Sequence, residues 1–210
     1  MNTPPLPLIR PATEADCATL ALVNDAATRR LASFLWAQSA AVGQSPLEVG
    51  RSLIRHEREH FSHFANWVVA EVNGHVAGAM NTWRLPSEVP ADYIARSHPV
   101  LQPLNTLKVV AGGTWYVVAV SVFPEWRGHG VAQALLAEAQ AQARARGIPR
   151  LTLMVGSFNT GARRLYAHLG FEEWERRPFT PFPGSDPAGD WLLMRKDLAP
   201  QHPVHAAHST

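Results

Sequence analysis

A glycine-rich turn near the middle of the chain has the residue types that bind phosphate. The turn, residues 127–132, reads Arg-Gly-His-Gly-Val-Ala and lies between an apolar run at 117–122 and a long alanine-rich stretch. The first amides of a helix have no partner inside that helix, and the helix dipole adds about half a positive charge at the same end. Glycine also lets a ligand approach the backbone closely. The pattern therefore predicts a site for a cofactor that carries a diphosphate.

Two common phosphate-binding motifs do not occur in the sequence. There is no G-x-x-x-x-G-K-[ST], which argues against a P-loop. There is also no G-x-G-x-x-G followed by an acidic residue at the end of a second strand, which argues against a Rossmann dinucleotide site. The cofactor is therefore expected to be bound by a different type of turn.

The turn and a second motif together resemble the signatures of the GNAT N-acetyltransferase superfamily, of bacterial type. From Arg127 the chain reads R-x-x-G-x-A, and two leucines, Leu135 and Leu136, follow on the same predicted helix. From Asn159 it reads N-x-x-A-x-x-L-Y-x-x-x-G-F, which ends at Phe171. The resemblance implies that acetyl-CoA is the diphosphate-bearing cosubstrate.

The resemblance also implies an α/β fold in which helices flank a twisted, mixed sheet of about six to seven strands. We expect one domain over residues 1–198, a long substrate-side loop at 84–113 with short helical pieces near 91–96 and 100–104, and a disordered tail at 199–210. Periodicity and turn residues predict helices near 13–27, 29–41, 45–63, 130–146 and 160–169, and strands near 8–10, 67–72, 75–81, 114–123, 151–155, 171–177 and 190–196.

The resemblance assigns the cofactor contacts mainly to backbone atoms. Amides of the turn would bind the pyrophosphate, and Arg127 would support the turn or the phosphates. The strand before the turn would pair with the pantetheine arm, while Asn159 would contact that arm or cap the following helix. The expected cofactor-binding residues are Val120, Val122, Arg127, Gly128, His129, Gly130, Val131, Ala132, Gln133 and Asn159.

Tyr166 matches the general acid of the family. A phenol with a pKa near 10 stays protonated at neutral pH and can protonate a departing thiolate. The alternative is a tyrosine that only packs in the core. The general base is less defined, because no carboxylate precedes the turn on its strand. Glu71 on a neighbouring strand could act through a water molecule; His75, Tyr116 or water alone are the other options.

The predicted reaction is direct transfer of an acetyl group from acetyl-CoA to a primary amine of a small molecule, without a metal. Its acceptor pocket would include the 84–113 loop, the region of Trp83 and Trp115, and the loop after residue 178. The alternative is a non-catalytic module that binds or senses acyl-CoA. The two differ in whether an amine is consumed.

A rival motif, H-E-x-x-H, occupies residues 56–60 on a predicted helix. Two histidines four residues apart on one helix face can bind zinc, with the glutamate as base. The same region is rich in charged side chains, as expected for a solvated helix face, and no downstream zincin pattern follows. We therefore expect no metal site and keep a zinc hydrolase only as a remote alternative.

Composition narrows the remaining options. The 210 residues have a formal net charge of +2 and no dense Lys/Arg run, so no nucleic-acid partner is expected. Cys17 is the single cysteine, and no stretch reaches the roughly 18 uncharged apolar residues of a membrane span. We expect a cytoplasmic protein with no membrane partner. The sequence leaves the oligomeric state open, including a homodimer.

Overall fold

Seven strands form one mixed sheet in the computed structural model, which describes residues 6–185 and 188–199. The strands lie in the order β1-β2-β3-β4-β5-β7-β6, and every neighbouring pair is antiparallel except β4 and β5. The prediction of a mixed sheet is confirmed. The strands are β1 (Leu8–Pro11), β2 (Trp67–Val72), β3 (His75–Arg84), β4 (Trp115–Val122), β5 (Arg150–Gly156), β6 (Glu172–Pro178) and β7 (Asp190–Asp197).

Helices cover both faces of this sheet. They are α1 (Cys17–Ala27), α2 (Leu31–Ala37), α3 (Pro46–His56), α4 (Gln102–Val110), α5 (Val131–Ala145) and α6 (Thr160–His168). Helices α5 and α6 share one hydrophobic cluster with the sheet, whereas α1 to α4 contribute to two others. Along β5, Val155 belongs to the α5 and α6 cluster and Met154 packs against the cluster that contains α4. Because neighbouring strand residues point to opposite faces, these helix groups lie on opposite sides of the sheet.

A glycine marks each end of α5. Gly130 precedes the helix with φ +77°, and Gly147 follows it with φ +64°, both in the left-handed region that favours glycine. Between them, Leu135 and Leu136 are fully buried against the sheet. Burying each leucine stabilises the fold by about 1.5–3 kcal/mol, so this helix is anchored firmly behind its N-terminus.

A bulge interrupts β4 and separates it from β5. Thr82 of β3 pairs with Val117 while Asn81 pairs with Ala119, so Val118 is an extra residue on β4. On its other side, β4 pairs with β5 only through three residues, from Trp115 to Val117. Beyond this point the two strands separate, and within the described ranges no strand pairs with the β5-facing edge of β4.

The segment at 84–113 differs from the predicted loop. A 3-10 turn at Pro99–Leu101 leads directly into α4, and residues 91–96 form turns. Helix α4 buries Leu107 completely and packs against the cluster that contains Leu193 of β7. Two of the four prolines in this segment, Pro99 and Pro103, lie at the first positions of these helical segments, where proline is well tolerated.

Two predicted helices were too long. Arg29 and Arg30 have φ values of +52° and +70°, and this left-handed pair separates α1 from α2. Helix α3 ends at His56 instead of continuing to residue 63. The carbonyl of Phe61 accepts the side-chain amides of Asn66 and Asn81, each at 3.1 Å, instead of a helical amide. These tertiary hydrogen bonds hold the chain after α3 in a non-helical path.

The predicted tail at 199–210 lies outside the described residues, apart from Ala199. Of the described helices, none has the length and apolar character needed to cross a lipid bilayer.

Candidate active site

A cleft of about 620 Å³ opens where β4 and β5 separate. Its walls include Val120 and Val122 of β4, whose side chains join the α5 and α6 cluster, and Met154 of β5, on the opposite face of the sheet. The cleft therefore passes between the two strands from one face of the sheet to the other. At one end lies the N-terminus of α5, and at the other lie Ala26, Ala27, Arg29 and Trp191.

The glycine-rich turn leads into α5 beside this cleft. Gly128 and Gly130 have φ values of +79° and +77°, and a Cβ added at either position would meet no protein atom within 4 Å. The glycines therefore serve the backbone conformation and leave open space in front of the first helical amides. Arg127 donates from Nε to the carbonyl of Val122 at 3.2 Å, which ties the turn back to β4. Open space at a helix N-terminus fits the diphosphate of acetyl-CoA.

The structure brings together nearly all of the predicted cofactor residues. His129 is the exception, because it is exposed and does not line the cleft. The predicted residues that line the cleft are Val120, Val122, Arg127, Gly128, Gly130, Val131, Ala132, Gln133 and Asn159.

Asn159 caps α6 at the edge of the cleft. Its Oδ1 accepts the amide of Ala162 at 3.3 Å, as an N-cap side chain does. Its position is compatible with both predicted roles, helix cap and contact with the cofactor arm, because the residue that begins the helix also borders the cleft.

Tyr166 lies in the cleft wall on α6 and is only 8% exposed. Burial raises the pKa of its phenol to about 12. The ring contacts Phe171, with centroids 5.9 Å apart, and no described residue forms a hydrogen bond with its hydroxyl. The side chain thus belongs to the core and to the cleft wall at once, and its hydroxyl is protonated at neutral pH.

The candidate bases lie elsewhere. Glu71 of β2 accepts a hydrogen bond from Arg10 at 2.8 Å, and Arg10 also binds Asp16, so Glu71 is part of a polar cluster at the β1 edge of the sheet. His75 is exposed at the hairpin turn. Tyr116 is buried on the α4 side, and burial raises the pKa of its phenol far above the ordinary value. None of the three lines the cleft.

Sequence reasoning did not assign some of the residues that line the cleft, and only part of these had a signal in the sequence. Leu136 and Leu165 follow helical spacing within the two motifs and could have been found that way. Arg29 and Trp191 come from distant segments. Trp115, expected near the acceptor, instead lies on the α5 side and lines a separate cavity with Arg146, whose guanidinium is 4.5 Å above its ring.

The H-E-x-x-H motif does not form a helical pair of histidines. His56 ends α3, and His60 lies in the turn beyond it, with Nδ1 2.5 Å from the Ser62 hydroxyl and 3.2 Å from the Ser62 amide. Over residues 6–185 and 188–199, no group of three or more His, Cys, Asp or Glu side chains is arranged to hold a metal ion.

Comparisons with known proteins concern the family and the fold. The mycothiol acetyltransferase of Thermobispora bispora is 45% identical over 62 residues, which are 30% of this chain and 20% of that protein. The chain spans 18–26% of the length of such curated relatives. Its fold matches the ribosomal-protein-alanine N-acetyltransferase of Brucella melitensis with a TM-score of 0.57 and 27% identity, over 91% of this chain and 99% of the other.

A putative acetyltransferase of Salmonella typhimurium, solved with its cofactor acetyl-CoA, has the same fold at a TM-score of 0.55 and 21% identity, over 95% of this chain and 98% of the other. A model of the acetyltransferase (GNAT) family matches residues 29–171, which is more than half of the chain. The chain therefore belongs to the acetyltransferase (GNAT) family.

Proposed function

We propose that the protein transfers an acetyl group from acetyl-CoA directly to the primary amine of a small molecule. One observation carries this proposal: Tyr166, the unpaired edge of β4 and the N-terminus of α5 all border the same cleft. Acetyl-CoA, when bound, supplies an acyl group activated as a thioester. Every other contribution comes from the protein.

The backbone binds and orients the donor. Amides at the start of α5 would hold the diphosphate, and the β5-facing edge of β4 would form strand-like hydrogen bonds with the pantetheine arm. An amide on that edge can also donate to the carbonyl oxygen of the thioester, where negative charge develops during transfer. Fixed donors of this kind need no rearrangement during the reaction, which is why they stabilise a transition state efficiently.

Tyr166 would donate a proton to the departing sulfur. With a pKa of about 12, its phenol is fully protonated at neutral pH. A covalent acyl-cysteine route is disfavoured, because Cys17, the single cysteine of the sequence, is buried in α1 and is not part of the cleft. This arrangement supports direct transfer in a ternary complex.

Water would accept the proton of the amine. The ionisable side chains that line the cleft are Arg29, Arg127 and Tyr166, which at neutral pH do not act as bases. Glu71 is occupied by Arg10, so we assign it a structural role. The acceptor would then react as the small neutral fraction that its own pKa allows.

The acceptor would approach from the α1 side of the sheet. There α4 and the segment that contains Phe179 and Phe182 cover the sheet next to Trp191, so the opening is bounded by packed side chains. This boundary favours a small molecule over a protein chain. The curated relatives are named mycothiol acetyltransferases, so the unacetylated, amine-bearing form of mycothiol enters a screen as one candidate acceptor among other amines.

Titration calorimetry with acetyl-CoA, followed by an amine screen that detects released thiol, tests the proposal. Micromolar binding together with amine-dependent thiol release is the expected result. Binding without consumption of any amine would instead indicate an acyl-CoA-sensing module, and the absence of binding to folded protein would contradict the cofactor site.

A further inference from the structure

Lys108 on α4 has only neutral neighbours. Its Nζ donates to Oδ1 of Asn105 at 3.2 Å and lies 6.0 Å from the centre of the Phe61 ring. His60, in the turn after α3, is a titratable side chain that interacts electrostatically with Lys108. Burial lowers the pKa of His60, so its imidazole is neutral at physiological pH. No carboxylate of the described residues lies within ion-pair distance of Nζ.

Asn105 is held so that its oxygen faces the lysine. Its Nδ2 donates to the Ser97 hydroxyl at 2.7 Å, and that hydroxyl donates to the carbonyl of Tyr93 at 2.7 Å. Because the amide nitrogen is used, the oxygen is the atom left for Nζ. This chain of hydrogen bonds fixes a neutral acceptor, not an anion, next to the amine.

A half-buried ammonium without an acidic partner is destabilised relative to the free amine. Accordingly, burial lowers the pKa of Lys108 to about 8. Near pH 8 about half of the Lys108 side chains would be uncharged, compared with less than about 1% for an ordinary lysine. A neutral amine is the nucleophilic form.

We propose that Lys108 is a modification site that reacts chemically with activated acyl donors, namely thioesters and acyl phosphates. The Nζ lone pair attacks the acyl carbon and forms a C–N bond. The C–S bond of a thioester, or the C–O bond of an acyl phosphate, breaks and its electron pair leaves on sulfur or oxygen. Nζ loses one proton to solvent, and the product is a neutral amide. The step does not depend on the acetyltransferase cleft.

The sequence supplies an internal control, because Lys196 is its other lysine. The Lys196 Nζ donates to the carbonyl of Leu169 at 2.7 Å, and partial burial, with nearby Arg144, also lowers its pKa. The full chain is incubated near pH 8 with acetyl phosphate and, separately, with acetyl-CoA, and acetylation at each lysine is followed by peptide mass spectrometry. We expect Lys108 to react about 10-fold faster than Lys196 with both donors, since its neutral fraction is larger but its intrinsic nucleophilicity is lower.

Asn105→Asp is the matched variant, because it places a carboxylate of the same shape beside Nζ and favours the ammonium. Acetylation of Lys108 should slow at least about 10-fold while that of Lys196 stays unchanged. In the wild type, the Lys108 rate should level off above about pH 9, whereas an ordinary lysine reacts faster up to about pH 10. Equal rates at both lysines, a Lys108 rate that keeps rising with pH, or labelling by acetyl-CoA alone would overturn the proposal.

Discussion

The two ends of the cleft, one proposed for the cofactor and the other for the acceptor, are built in different ways. On the cofactor side, residues 115–171 use backbone features: two left-handed glycines, a helix N-terminus and a strand with an unpaired edge. Behind Trp191, which lines the end proposed for the acceptor, aromatic rings from distant segments contact one another, including Phe34, Phe158, Phe179 and Phe182. A backbone site needs particular residues at fixed local spacing, whereas a packed wall needs only the correct total shape.

This difference explains what each side tolerates. Phe34 and Phe182 lie 5.0 Å apart between ring centroids, although one belongs to α2 and the other to the segment between β6 and β7. Another large apolar residue could occupy either position with limited loss, because volume-conserving changes usually cost less than about 1.5 kcal/mol. At Gly130 no such freedom exists, since a side chain would both strain the backbone and enter the space in front of α5.

The largest expected effect concerns Tyr166, the residue that belongs to both the core and the cleft. Replacing it with phenylalanine keeps the ring in the core and removes the proton donor, so kcat should fall by about 10²–10⁴. The Kd for acetyl-CoA should change less than about twofold, because the proposed backbone contacts remain. Steady-state kinetics and calorimetry on the same preparation measure both values, and an unchanged kcat would remove Tyr166 from the mechanism.

Gly130→Glu should weaken acetyl-CoA binding by at least about 100-fold, because it adds bulk and negative charge where the diphosphate would lie. Gly147→Glu is the matched control at the opposite end of α5, with a similar left-handed φ and no protein atom near its Cβ position. Calorimetry should show lost binding only for the first variant. Equal loss in both variants would mean that the backbone strain, not the position, is responsible.

Asp16→Asn tests the polar cluster that contains Glu71. Asp16 accepts hydrogen bonds from Arg10 at 2.9 and 3.1 Å, and these bonds chiefly hold its pKa below the ordinary value. The variant should lose about 2–3 kcal/mol of unfolding free energy at pH 7. A carboxyl with a lowered folded-state pKa stabilises above its unfolded pKa of about 4, so the difference between wild type and variant should shrink as pH falls below about 5.

Urea unfolding at several pH values measures this difference, and a gap that is independent of pH would contradict it. Glu71→Gln tests whether Glu71 acts as the general base. If Glu71 is structural, the variant should retain the pH dependence of kcat/KM while losing some stability; a shifted profile would restore it as the base.

Gly156→Ala should give the smallest effect and probes the packed wall. A Cβ at this position would lie 2.3 Å from the Phe158 ring, so the ring must move and the unfolding free energy should fall by about 1–3 kcal/mol. Gly161→Ala in α6 is the control, since its Cβ meets nothing within 4 Å and alanine favours a helix by about 1 kcal/mol. Thermal denaturation should move in opposite directions for the two variants.

The features that sequence reasoning predicted depend on neighbours in the chain. Asn73 and Gly74 form the hairpin turn, Gly147 ends α5 and Asn159 begins α6, as their residue types indicate. The features that it missed depend on partners far away. Asn81 donates to the carbonyl of Phe61, 20 residues earlier, and this bond fixes part of the non-helical segment that follows α3.

The bulge at Val118 had no sequence signal for the same reason, because a bulge is defined only relative to the strand beside it. The sequence did not predict helix α4 over its full length, because Pro99 and Pro103 are compatible both with a loop and with the first turn of a helix. Only the burial of its apolar face against β6 and β7 decides between the two.

The short contact between β4 and β5 has a mechanical consequence. Within the described residues, three registered residue pairs join the first part of the sheet, β1 to β4, to the second part, β5 to β7. A ligand that lies between these two parts of the sheet and bonds to both would hold them together. We expect amides of β4 and β5 to exchange hydrogen more slowly once such a ligand is bound. We also expect the two parts of the sheet to unfold more nearly as one unit.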